Sequence, residues 1–477
     1  MVTKLTPAPG APAAAAATHQ NAYLPVPNPS QSYWRTPPHP LDSHRTTPSL
    51  PTACDVLIIG AGLAGVSVAY ELANLAATAA APPSSTVLLE ARQTCSGATG
   101  RNGGHVKVKA ATVFGMAARH GAAAADELVA FVRAQVAALK AVVEREGLAA
   151  DCEFELRRSY DTFADARDAA DMARRWAECL ERGDAWTKEV DWVGAEWAER
   201  VTAVRGARAA FSMPACSFWP YRFVMGLLER AMRRNPGLNV QTETPVLGVE
   251  KAEGEDGAPV TIVHTPRGSI AARKVVFATN AYTAGLLPQY RGIITPYKGT
   301  AAHLAALDGR EPVYPHLSHT YNLHFERVKE LETVDYLNPR PDGGIVVGGG
   351  KWLYEERRDL WYDTVDDSTL MGPIMKEKYF EGYMQRNFRG WDDSGSEAER
   401  VWTGIMGLTP DGVPHVGKVP GEQNQWILAG FNGGGNALIY LTAKAIARMV
   451  NDDSSFEEAG QGIPKLFKTT AERLGKR

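Results

Sequence analysis

The chain is short of cysteine, of net charge and of long apolar runs. Its five cysteines, Cys54, Cys95, Cys152, Cys179 and Cys216, lie scattered through 477 residues with no C-x-x-C pair. That leaves no metal-ligand spacing, and an odd, unpatterned set fits buried free thiols in a reducing compartment. Lys and Arg number 51 against 54 Asp and Glu, a formal charge of −3, which supplies no electrostatic reason for a nucleic-acid or anionic-membrane partner. No window holds 18 consecutive apolar residues, so no transmembrane helix is expected. The opening MVTKLTPAPGAPAAAAATHQ is interrupted by prolines and reads as a loosely attached arm, not a signal peptide. The final LGKR is not a peroxisomal address, and the expected location is cytoplasmic. At 44% hydrophobic and 22% charged, the chain is long enough for two domains' worth of core.

What is present is concentrated in DVLIIGAGLAGVSVAYELA, residues 55–73, and in TVLLE ending at Glu90. Together they spell half of a dinucleotide-binding βαβ unit. The apolar run 55–59 reads as a buried parallel strand. Gly60, Gly62 and Gly65, with Leu63 and Ala64 between the last two, give G-x-G-x-x-G where strand must become helix. The first glycine allows the tight turn, the second admits a pyrophosphate to the backbone, and the third lets helix lie close on strand. Phosphates are favoured at such a helix N-terminus by its free N–H groups and dipole. Glu90, closing the next strand, is placed to bind a ribose, and its charge argues against the 2′-phosphate of NADP. The spacer AATAAAPPSS between helix and second strand reads as a surface loop.

The remaining pattern is interleaved. Residues 1–50 are rich in Pro, Ala, Ser and Thr and cannot form a regular element interior, yet Tyr33, Trp34 and Leu41 suggest that their later part packs as an extended strap. Helical periodicity covers 122–146 and 165–182, and short strands are expected at 239–249, 259–263 and 272–283. Residues 293–350 read mostly as strands, with a Pro-Asp-Gly-Gly turn. The charged, aromatic stretch 357–392 reads as partly helical, and 425–450 repeats strand, glycine turn and helix. EARQTCSGATGRNGGHV, residues 90–106, is too rich in Gly, Ser and Thr for helix or packed strand. Such a loop can lay its backbone along a flat or phosphorylated ligand, with Arg101, Asn102 and His105 as polar contacts; a flexible surface loop is the alternative.

GAGLAG, EAR, SGATGRNGG, ATNAYT, TPDGVPHVG and GFNGGGNA, in that order, resemble the FAD-dependent oxidoreductases of the D-amino-acid oxidase superfamily. The SGxxGRNGG form is most similar to the γ-glutamylputrescine oxidase-like branch. The resemblance implies an α/β plus antiparallel β fold: a doubly wound, glutathione-reductase-like FAD-binding domain with a discontinuous antiparallel-sheet substrate domain. It assigns residues 51–110, 240–290 and 400–455 to the first and 111–239 and 291–399, with helical insertions, to the second, leaving 456–477 as a tail. By the same resemblance Gly60, Gly62 and Gly65 cradle the FAD pyrophosphate, and Glu90, Ala91 and Arg92 the adenosine ribose. Val246 meets adenine, and Ala278, Thr279 and Asn280 pass the pyrophosphate. Ser96, Gly97, Arg101, Asn102 and Gly103 run toward the isoalloxazine. Gly430, Asn432, Gly433, Gly434 and Gly435 bring N–H groups and a helix N-terminus to the flavin edge that becomes anionic on reduction. The positions of known covalent tethers fall on Gly404 and Arg101, so non-covalent FAD is expected. The family's carboxylate grip falls on Gly104 and Ala437, which leaves a substrate without a carboxylate open.

The implied activity is oxidation of a C–N bond in an amine or amino-acid-like substrate. Hydride leaves the carbon, an imine forms and is hydrolysed, and O2 is reduced to H2O2 with help from a nearby cation. Arg101, Lys298 and Lys351 are the candidate cations, although an ion-paired structural role is the competing reading for each lysine. His105 is an acid–base candidate or a structural hydrogen-bonder. The aromatic cluster SFWPYRF and the later Tyr314, Tyr321, Tyr336, Trp352 and Trp361 either line an apolar pocket or fill core. A dehydrogenase passing electrons to another acceptor, and a flavin-binding protein without turnover, are the alternatives. Oligomeric state stays open.

Overall fold

Ala53–Ile59 is buried along most of its length, as a run of β-branched and apolar residues must be when neighbours cover both faces. It is the centre of an eight-stranded sheet in the computed structural model, which describes residues 23–78, 85–306 and 310–475. The arm expected over the first twenty residues, and most of the spacer after the first helix, lie outside the described residues. The sheet order is His415–Lys418, Gln425–Ala429, Gly268–Phe277, Ala53–Ile59, Thr86–Leu89, Leu238–Gln241. The last five are parallel to their neighbours, while His415–Lys418 runs antiparallel at the edge. A hairpin of Gly248–Glu253 and Pro259–Thr265 joins Gly268–Phe277.

Register decides what this sheet presents. Ile59 pairs with both Phe277 and Leu89, and Phe277 pairs with Ile427. Gly60, Glu90, Ala278 and the loop beginning at Gly430 therefore leave the carboxyl ends of adjacent strands together, where open α/β sheets bind ligands. Leu63–Thr78 packs between Gly435–Asp452 and Pro220–Arg234, and Ala122–Glu146 packs on Gly435–Asp452. Gly147, at φ +65, ends Ala122–Glu146 by returning its N–H to Val143 and Glu144, a left-handed stop that glycine adopts without penalty.

The second sheet has nine strands in the path Ser396–Leu408, Thr295–Ala306, Ile345–Gly348, Val334–Pro339, Thr320–His324, Glu155–Phe163, Ala209–Ser217, His105–Val106, with Asp191–Val193 on Ala209–Ser217. Its pairs are antiparallel except Thr320–His324 with Glu155–Phe163. Segment assignments differ from the sequence reading in three places, the first being His105–Val106, expected in the FAD domain but paired with Ala209–Ser217 in this sheet. Residues 400–408 lie in this second sheet, because Ser396–Leu408 pairs along its whole length with Thr295–Ala306. Pro220–Arg234 and Leu238–Gln241 lie with the first, since that helix packs on Leu63–Thr78 and that strand on Thr86–Leu89. The SFWPYRF aromatics end a strand and start this helix, so Phe218, Trp219, Tyr221 and Phe223 are core.

The segment before the first strand crosses both sheets' territory. Trp34 is fully buried, its indole N–H donates to Asn102 O (2.5 Å), and its own carbonyl accepts from Trp219 (2.6 Å). All five cysteines are buried and unpaired. No helix among the described residues is long and apolar enough to cross a membrane.

Candidate active site

The glycine turn after Ala53–Ile59 has no room for anything larger. Gly60 sits at φ +105, and a Cβ there would meet Ala278 O at 2.7 Å; one on Gly65 would fall 1.8 Å from Gly60 O. These contacts seat the helix closely on the strand, the approach that the first and third glycines of a dinucleotide-binding turn allow. Leu63 N–H is held by Thr99 Oγ1 (2.9 Å). Glu90 accepts from Ala61 N (2.9 Å) and Arg92 N (3.0 Å), which fixes its carboxylate beside this turn.

At the other end of the chain, Asn432 (φ +51) braces the turn after Gln425–Ala429 by accepting from Thr409 N (2.8 Å) and donating to Gly430 O (2.8 Å). Asn280 (φ +42) reaches the same turn, accepting from Gly430 N (3.0 Å) and Phe431 N (3.3 Å). Asn102 and Asn436 join their amides at 3.1 Å, tying the 98–104 loop to the start of Gly435–Asp452. Three segments far apart in sequence thus converge around one cavity of about 600 Å³.

Of the residues expected at the site, Gly60, Gly62, Leu63, Ala64, Glu90, Ala91, Arg92, Gly97, Arg101, Asn102, Gly103, His105, Val246, Ala278, Thr279, Asn280, Lys298, Lys351, Asn432, Gly433, Gly434 and Gly435 line this cavity. Gly65, Ser96 and Gly430 stand behind it: Gly65 against Gly60, Ser96 gripping two arginines, and Gly430 (φ +75) packed on Thr409 and Ile294. The residues suit a dinucleotide, because the wall is backbone at both glycine turns and a carboxylate stands beside the first.

The expected cations are not free. Arg101 donates to Ser96 O (2.7 Å), Ser30 Oγ (3.1 Å), Thr403 O (2.7 Å) and Ser30 O (2.6 Å), and burial lowers its pKa to about 10. Lys298 Nζ donates to Thr369 Oγ1 (2.7 Å) and is held below its ordinary pKa by burial. Lys351 pairs with Glu355 (3.0 Å) over the ring of Trp361. Arg92 forks onto Asp367 (2.9 and 3.1 Å), and the carboxylate also lies 3.5 Å from Arg101.

The same cavity is also lined by Lys107, Lys109, Tyr297, Asn322 and Asp335, which sequence reading missed, together with Tyr336, which it offered as a pocket aromatic. Lys107 Nζ donates to Tyr321 O (2.5 Å), and burial, opposed by Asp161, holds its pKa well below 10.5. Lys109 is lowered by burial too, against the attraction of Asp161, Glu332 and Asp335. Its ammonium makes no hydrogen bond or ion pair among the described residues. Burial first, and then the two lysines, push His105 well below 6.5, and its Nδ1 is buried without a partner. Asp335 is raised to about 6 by burial, although it accepts from Tyr379, Tyr383 and Gly350. The only sequence signal for the lysines was their position, two and four residues after His105.

Comparison with known proteins agrees with this architecture. A family model described as FAD dependent oxidoreductase (DAO) matches residues 55–449. The chain is 28% identical over 210 residues to D-amino acid dehydrogenase of Cereibacter sphaeroides (strain ATCC 17029 / ATH 2.4.9), covering 43% of this chain and 40% of that protein. The match therefore spans less than half the length of that relative. Among solved structures, glycine oxidase from Geobacillus kaustophilus superposes with a TM-score of 0.65 at 19% identity, covering 88% of this chain and 99% of that one. L-proline dehydrogenase from P. horikoshii gives 0.63 at 20% identity, over 88% and 98%. NikD, an amino acid oxidase of nikkomycin biosynthesis, gives 0.60 at 16%, over 87% and 98%.

Proposed function

The chain belongs to the FAD dependent oxidoreductase family, and from that premise we propose that it oxidises the C–N bond of an amino-acid-like amine bearing an anionic group, with O2 as electron acceptor. The observation that carries the reading is the continuity of one cavity from the Gly60 turn and Glu90 to Lys109. Bound FAD supplies the acceptor for a hydride leaving the carbon next to nitrogen. The Gly60, Gly62 and Gly65 turn, Glu90, Val246 and the Gly433–Gly435 helix start are the residues that would hold it. No tether is expected: Gly404 faces Arg101, whose Cβ would lie 3.1 Å from a Cβ there, so a cysteine at that position has little room.

His105 stands on the cavity wall, where its imidazole is the group placed to take a proton from the substrate ammonium, since oxidation needs the neutral amine. Lys109, on the cavity wall with no hydrogen-bond or ion-pair partner among the described residues, offers the cation for the substrate's anionic group. It stands in for the grip absent at Gly104 and Ala437. The oxidised product is an imine, which water hydrolyses to carbonyl and amine; the two electrons and two protons removed convert O2 to H2O2.

Transfer to another acceptor is the second reading. It is favoured by the match to a dehydrogenase and by the partners already held by Arg101, Lys298 and Lys351. The γ-glutamylputrescine oxidase-like assignment rests on the SGATGRNGG form alone. Anaerobic addition of an amine and amino-acid panel tests the proposal: a carboxylated amine bleaches the yellow holoenzyme, and oxygen-electrode traces then assign the acceptor. A flavin that no amine bleaches would sink it.

A further inference from the structure

The segment before the nucleotide-binding strand lies outside the stretch matched by the family model, which begins at residue 55. Yet it forms part of the cavity. Tyr23, Leu24 and Pro25 line it, next to Val26, whose carbonyl accepts from Arg92 (3.0 Å). Ser30, Ser32 and Trp34 are each laced to the 98–104 loop, the last from the short 3-10 turn Tyr33–Arg35 that Ser32 caps. Ser30 accepts from Arg101 through both its hydroxyl and its carbonyl, Ser32 Oγ donates to Gly100 O (2.5 Å), and Trp34 donates to Asn102 O. Ser30 is also held from behind, its N–H donating to Asp367 O (2.7 Å) and its Oγ accepting from Thr403 N (3.1 Å). A Cβ on Gly104 would lie 2.5 Å from the Trp34 ring, so the loop and strap are fitted to one another.

Resting on the FAD assignment above, we propose that residues 23–34 are part of the cofactor site: a clamp that walls the cavity beside Arg92 and retains FAD. The cofactor touches Tyr23, Leu24 and Pro25 directly and is held indirectly through Ser30, Ser32 and Trp34, which set the loop carrying Arg101 and Asn102. A clamp of this kind obeys reciprocity: if the closed strap tightens the binding of FAD, bound FAD must shift the strap toward its closed state by the same free energy.

Hydrogen exchange on the full-length chain, with and without FAD, reads that coupling on the amides of residues 24–34. Bound FAD is expected to slow their exchange, and Ser30→Ala, which removes the hydroxyl but leaves the fold's larger contacts, is expected to release FAD about tenfold faster in a fluorescence off-rate assay. Strap amides that exchange alike in both states overturn the proposal while leaving the cofactor assignment intact. A folded chain that takes up no FAD overturns both. A Ser30→Ala holoenzyme that releases FAD at the native rate moves the test to Leu24→Asp, which places a charge on the cavity wall; native-rate release there also refutes the clamp.

Discussion

Asp367 holds together three parts of the site, and removing its charge tests whether they depend on it. Its carboxylate is 1% exposed and forks onto Arg92, 5% exposed, while Arg101, also 1% exposed, lies 3.5 Å away. Its carbonyl accepts from Ser30 and from Thr403 Oγ1. Asp367→Asn keeps the shape and leaves two guanidinium groups facing a neutral amide. Removing one partner of a buried ion pair costs about 3–5 kcal/mol, because the remaining charge stays buried. An unfolding entropy of about 2.1 cal/mol/K per residue sums to roughly 1 kcal/mol/K for a chain of this length, so the midpoint should fall by about 3–5 °C. Differential scanning fluorimetry of the holoenzyme measures it. Asp392→Asn is the control, because its pair with Arg205 is exposed at 68% and 39% and such pairs contribute about 0–1 kcal/mol. A shift for Asp367→Asn no larger than that of the control would refute the reasoning.

Three other outcomes follow from the same geometry. Gly60→Ala, forced to φ +105 with its methyl 2.7 Å from Ala278 O, should give a protein purified largely without flavin, seen as a lost ratio of visible to ultraviolet absorbance. Lys109→Met should weaken carboxylated amines about a hundredfold in KM or Kd while leaving the flavin spectrum and the reaction with a carboxylate-free analogue nearly unchanged; equal losses on both substrates would contradict the anion subsite. His324, half-buried, and His415, buried, are pushed down to about 3, chiefly by desolvation. Because the unfolded chain takes up these protons first, near pH 6.5, their contribution is intact above that pH and is lost as pH falls from 6.5 toward 3. Urea unfolding should show a slope of about 2.7 kcal/mol per pH unit from the pair in that window, and His415→Gln should halve it.

The nucleotide-binding half was legible because each of its signals is local. A glycine at Gly60, an apolar run before it and an acid at Glu90 each carry a separate physical demand within a few residues. The antiparallel sheet was legible as a class but not in its pairing, since Glu155–Phe163 meets Thr320–His324 across a separation no turn signal spans. That pairing is what shapes the cavity near Lys109. Asp161 on one strand and Asn322 on the other bond to each other, and Asp161 accepts from Ala110 N (2.6 Å), drawing 107–110 inward. Read alone, VKVKA looks like a solvated charged strand. Asp367 was hidden for a similar reason: it sits in a charged, aromatic stretch that reads as partly helical, and its ion pairs are with arginines from another part of the chain. Arg101 illustrates the converse, since its position in a motif said nothing of how many carbonyls would claim it.

The scattered thiols bear on how long such a catalyst lasts. Were oxygen the acceptor, as proposed, the enzyme would work in its own peroxide, and peroxide attacks thiolate, not thiol. Burial pushes Cys54 and Cys152 up to about 12 and Cys179 to about 11, with Cys216 also raised. Even Cys95, which borders the cavity, is held well above its usual range. At neutral pH about one molecule in ten thousand or fewer carries a thiolate at any of the three numbered positions. The chain thus keeps sulfur where packing needs a small apolar side chain and withholds the form of it that peroxide would erode.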